Sequence, residues 1–186
     1  DNIIKKYAVG GPIQAPLDGL LLLMEEHGFQ GADVEAVSVY LSQEGVTVVN
    51  DRDMPNVNLQ YNLAVALVDG KSTYESAMSR ERMEDPAIKA LKSRVRLFHE
   101  PRFDELTLRR NAVVEVTLKS GKTHSRHIKA VRGNPANPMT RQEVEAKAEA
   151  YIGAVMGKDR AVRLIETIRR LEDLPDMRAL QPLISA

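Results

Sequence analysis

From Asn111 to Leu118 the chain alternates: Ala112, Val114, Val116 and Leu118 all point one way, and Ser120-Gly121 then turns into Thr123 to Val131. Side chains of an extended strand alternate between faces, so this pattern predicts a β-hairpin with one polar face. A sheet with a single dry side needs a cover. Helical segments on both sides in sequence can supply it, which points to an α+β fold.

Pro16 opens a segment in which Leu17, Leu20, Leu21 and Met24 recur at helical spacing, closed by His27-Gly28 as a basic last turn and a C-terminal glycine. Val34 to Leu41 reads as a strand, and Glu44-Gly45 then turns into Val46 to Val49, which reads as its hairpin partner. Asn56 to Asp69 reads as a second helix with Leu59, Leu63, Ala66 and Leu67 on one stripe and Gly70 as its stop. Ser72 to Glu75 holds a capping box, and Asp85-Pro86 places an acid and a proline at the start of another short helix. Val95 to His99 is a further strand. After the Pro/Asn-rich link Gly133 to Thr140, Thr140 and Glu143 form a second capping box, and the remainder is helical, with Ala161, Leu164, Ile165, Ile168 and Leu171 on one stripe. A separable C-terminal helical piece follows, with its boundary near Gly133.

The 186 residues suffice for a real core. Apolar residues are 43% and charged residues 28%, so global disorder is excluded. Lys plus Arg and Asp plus Glu are both 26, which leaves no bulk field to draw nucleic acid or an acidic membrane. Aromatics are 4%, so base-stacking platforms have little to be built from. The chain has no cysteine, hence no disulfide, thiol nucleophile or thiolate metal site. Its apolar runs are far shorter than the roughly 20 residues of a membrane span. Beginning at Asp1 with DNIIKKYAVGGP, the chain reads as the continuation of a longer protein.

The residues alone give few candidates for chemistry. His124 and His127 lie three apart on a strand and so face opposite ways, which fits surface histidines and not a shared metal ion. His27 reads as a helix cap. Val9-Gly10-Gly11-Pro12 lacks a phosphate-loop pattern and reads as a turn, and Asp51 and Asp53 read as solvated acids. Lys5 and Lys6 beside Tyr7 are more suggestive, because a lysine emerging beneath apolar neighbours can hold a substrate carboxylate. Tyr61 fits either a core tyrosine with a wet tip or a proton donor at a cleft edge.

Several stretches taken together carry a resemblance. They are Ile4-Lys5-Lys6-Tyr7 with Asp18, then Asn58-Leu59-Gln60-Tyr61 running into Ala64-Val65-Ala66-Leu67-Val68-Asp69-Gly70. Asp85-Pro86 with Val95, Ser120-Gly121, and Gly133-Asn134-Pro135-Ala136-Asn137-Pro138-Met139-Thr140 with Glu143 and Lys147 complete the set. In order and spacing they resemble the C-terminal half of the MmgE/PrpD family, which includes 2-methylcitrate dehydratase, cis-aconitate decarboxylase and iminodisuccinate epimerase.

This resemblance implies a cytoplasmic, homodimeric enzyme with a large helical domain and a small α/β lid that closes over a small di- or tricarboxylate. Residues 1–14 would link from a helical domain upstream of this chain. Residues 15–132 would form the lid, with a mostly antiparallel sheet, and residues 133–186 would return as helices to the helical domain. No cofactor or metal is implied. The reaction implied is proton abstraction next to a carboxylate, followed by dehydration, decarboxylation or epimerisation. Carried over by position, Lys5 and Tyr61 would be catalytic, with Lys5, Gln14, Gln60 and Tyr61 binding substrate. Gly10 and Gln14 stand where the family often has histidines, and a glutamine cannot take up a proton. That departure argues against a plain decarboxylase or methylcitrate dehydratase. The alternative is a non-catalytic carboxylate-binding or assembly domain.

Overall fold

The computed structural model describes residues 3–185 apart from 106, 108 and 109. The chain divides into two compact units, Asp1–Pro138 and Met139–Ala186.

The first unit is built on a four-stranded sheet of β1 (Val34–Leu41), β2 (Val95–His99), β3 (Ala112–Leu118) and β4 (Thr123–Ile128), in the order β2-β1-β3-β4. β1 runs parallel to β2, with Leu41 opposite His99, and antiparallel to β3, with Tyr40 opposite Val113. β3 and β4 form the hairpin that the alternation predicts, with Val113 opposite His127. Val37, Val39 and Leu41 of β1 and Ala112, Val114 and Val116 of β3 are buried. They pack against α1 (Gln14–His27), which brings Leu17, Leu20 and Leu23, and α3 (Leu59–Asp69). Every residue of α3 from Leu59 to Leu67 is buried, and the helix reaches solvent at its last two residues, Val68 and Asp69. The result is an α+β fold.

The short helices start at or next to the expected caps. Asp85 accepts hydrogen bonds from the Ala87 and Ile88 amides at the head of α5 (Pro86–Lys92) as expected, whereas the capping box of α4 (Tyr74–Met78) is formed by Thr73 and Ser76, one residue later than the expected Ser72 and Glu75. The segment Val46 to Val49 corrects the expectation: it is not a strand but the end of helix α2 (Gln43–Val49). Ser42 caps that helix by accepting the Gly45 amide, and β1 already has β2 and β3 on its two edges, so no edge is left for a hairpin partner.

The second unit is helical. Thr140 and Glu143 cap α6 (Arg141–Met156) reciprocally, and α6 packs on α7 (Lys158–Arg169). Arg169 reaches Glu145 across the pair, and the Arg160 guanidinium donates to the Leu183 and Pro182 carbonyls, tying α8 (Gln181–Ile184) to α7. Ala161 and Leu164 of the apolar stripe are buried, whereas Ile168 is 51% and Leu171 39% exposed. No helix among the described residues is long and apolar enough to cross a membrane.

Candidate functional site

The segment leading into α1 is irregular, yet it is pinned at every second or third residue. The Ile4 amide donates to the Gly133 carbonyl at 3.0 Å, and the Gly10 amide donates to the Asn56 carbonyl at 2.7 Å. The buried Gln14 amide accepts from the Tyr7 amide at 3.2 Å and donates to the Tyr7 and Val9 carbonyls at 2.9 and 3.2 Å. Asp18, also buried, takes the Lys6 ammonium at 2.9 Å and the Tyr7 hydroxyl at 3.0 Å on the same oxygen. Lys6 is thereby spent on structure. Lys5 faces the other way, exposed, with its Nζ donating to the Val9 carbonyl at 3.3 Å.

On that side Lys5 lines a cleft of about 370 Å³ together with Gly11, Pro12, Ser42, Glu44, Gly45, Val48 and Arg110. Strand order assembles it: Ser42 follows β1, Arg110 precedes β3, and these two ends lie at the same end of the sheet because β1 and β3 are antiparallel. The cleft is large enough for a small organic acid. Two cations and one carboxylate face it, a balance that favours an anion.

The other predicted residues lie elsewhere. Tyr61 is fully buried, and its hydroxyl donates to the Ser76 carbonyl at 2.6 Å with the Ser79 carbonyl at 3.2 Å. Burial raises its pKa, so the phenol stays protonated and acts as a donor to backbone. Gln60 accepts from the Asp51 amide at 3.0 Å and donates to Asn50 Oδ1 at 2.6 Å, holding the turn before α3. Gln14 holds residues 7–9. Of the four, only Lys5 lines the cleft; Arg110 and Ser42 were not expected there. Their partnership with Lys5 depends on strand order, and no local motif announces it.

His127 is exposed and His124 half-buried, so both lie at the surface as expected, and each stacks on a neighbouring ring. His124 stacks on His27 with ring centroids 3.8 Å apart, and His127 stacks on Phe103 with its Nε2 3.0 Å from Asn111 Oδ1. Burial, then the charges of Lys129 and Arg102, lower the His127 pKa. The unfolded chain, with an ordinary histidine near 6.5, therefore binds the proton first as pH falls. Stability should drop as pH falls below about 6.5 and recover as it rises. In thermal melts across that range, His127→Asn should flatten this part of the pH profile; an unchanged slope would contradict the assignment. Asp51 pairs with Lys92 at 2.5 Å, which holds its pKa below the ordinary value. No group of three or more His, Asp or Glu among the described residues is placed to hold a metal ion.

Residues 7–173 match the MmgE/PrpD C-terminal domain. The chain belongs to the MmgE/PrpD family. Arg110, Ser42 and Tyr61 fall inside the matched range, and Lys5 lies just ahead of it. Over 131 residues this MmgE/PrpD chain is 28% identical to the cis-aconitate decarboxylase of Mus musculus, covering 68% of the chain and 26% of the relative. It thus spans about a quarter of the length of that enzyme.

Proposed function

We propose that this MmgE/PrpD chain is the substrate-covering lid, with its returning helices, of a lyase or isomerase that removes a proton next to a carboxylate of a small di- or tricarboxylate. The observation that carries the reading is Lys5, held by a rigidly pinned segment at the mouth of a cleft of substrate size. A fixed ammonium there binds a substrate carboxylate and offsets the negative charge that grows on an enolate-like intermediate. Family membership and the likeness to an enzyme named for decarboxylating cis-aconitate support the substrate class.

The base comes from outside this chain. Gly10 offers no side chain, and the Gln14 amide is committed to Tyr7 and Val9, so neither can replace a histidine. The exposed Ile168 and Leu171 support a helical domain as the partner of the C-terminal helices. The chain and the longer enzyme containing it should be incubated separately with citrate, 2-methylcitrate, cis-aconitate and an iminodisuccinate-type substrate, following alkene absorbance and products by NMR. Turnover only by the longer enzyme is the expected result. Affinity for these acids without turnover by either would favour a carboxylate-binding domain, a reading that the Gly10 and Gln14 positions also support.

A further inference from the structure

We infer that Arg110 is a second carboxylate-binding residue of the Lys5 cleft, and that the cleft therefore selects acids carrying two carboxylates over acids carrying one. The inference rests on the carboxylate reading of the cleft and adds to it a residue and a specificity.

Three observations place Arg110 in this role. It lines the same cleft as Lys5, with Gly11 and Pro12 also in the wall. Its guanidinium lies against Gly11, where a Cβ would stand 2.5 Å from Nη1; the bare glycine leaves the space that the fork occupies. The Ser42 hydroxyl, which also lines the cleft, accepts from the Gly45 amide at 3.1 Å and so keeps its own proton to donate. Glu44 completes the wall. The cations differ in kind. A lysine presents a point charge, whereas a guanidinium grips one carboxylate with two parallel hydrogen bonds and fixes its plane. A ligand with one carboxylate can satisfy one of them; a ligand with two can satisfy both, and its reacting carbon is then held between.

The test compares succinate with butyrate, and sulfate as a plain anion, titrated into the ¹⁵N-labelled chain while the Gly11 and Gly45 amides are followed by NMR. Succinate should bind about tenfold more tightly than butyrate, since a charged hydrogen-bonded pair is worth about that much. Arg110→Gln should bring the two affinities together, and Lys5→Gln should weaken both. Gly11→Ala keeps every charge but pushes the guanidinium aside, and it should also erase the preference. Arg110 is exposed, so melting temperature should not move in the Arg110 variant. A succinate preference that survives both Arg110→Gln and Gly11→Ala would overturn the inference and leave the carboxylate reading intact. Binding of sulfate as tight as succinate would also overturn it. A wild-type chain that binds neither acid would sink both.

Discussion

Gly133→Ala should leave the fold in place and release the segment that carries Lys5, lowering turnover of the intact enzyme about 100-fold, the loss expected when a reacting group is misplaced by about 1 Å. Gly133 has φ of +92°, and a Cβ there would stand 1.8 Å from the carbonyl oxygen of Ile4 and 2.9 Å from its carbon. Both atoms are backbone and cannot rotate away. The Gly133 carbonyl also accepts the Ile4 amide, so the clash breaks the bond that docks the residue next to Lys5. The Gly133 side is stiff: its amide donates to the Asn137 carbonyl, and Asn137 in turn donates from Nδ2 to the Ala130 carbonyl. The Ile4 side is irregular backbone docked through the Gly133 bond ahead of the anchors at Lys6 and Tyr7, so it is the side that moves. Hydrogen exchange should show protection lost at the Ile4 amide and kept in β3. Retained protection with wild-type turnover would show that this contact does not position Lys5.

Tyr61→Phe should destabilise the first unit by about 1–3 kcal/mol, the usual cost of leaving a buried polar partner unsatisfied. The ring is fully buried, and phenylalanine fills the same space, so the loss isolates the hydroxyl. The Ser76 carbonyl lies in the middle of the short helix α4 and takes the phenol at 2.6 Å; without it that carbonyl has lost its donor from the core. Thermal melts should fall by several degrees, in line with about 2–4 °C per kcal/mol for a chain of this size. The family resemblance gives Tyr61 a place against the substrate, which requires its proton to leave Ser76. The two roles separate cleanly: a lower melting temperature with turnover largely kept assigns the phenol to the fold, as its bonds predict. Loss of turnover at unchanged melting temperature would contradict that placement.

Local patterns in the sequence carried most of the scaffold. The hairpin at Ser120-Gly121, the caps at Asp85 and Thr140, and the closing glycines Gly28 and Gly70 are each decided by a few neighbouring residues, and each forms as the spacing predicts. Val46 to Val49 misled because β-branched residues favour a strand, whereas the Ser42 cap and the occupied edges of β1 favour a helix; only the second fact is long-range. The site was less legible. Gln14 and Gln60 have the same side chain in substrate-binding and turn-clamping roles, and sequence cannot say which backbone atoms surround them. Lys5 and Arg110 are far apart in the chain and meet only because β3 pairs antiparallel with β1.

The central claim is that Lys5 holds the substrate's carboxylate, and the direct test is the turnover of Lys5→Ala in the intact enzyme, read beside its melting temperature. Because the ammonium is exposed and donates to a loop carbonyl, that of Val9, stability should hardly change. Turnover should fall about 10²–10³-fold, as when a preorganised donor to developing charge is removed. Wild-type turnover in a folded Lys5→Ala enzyme would contradict the account.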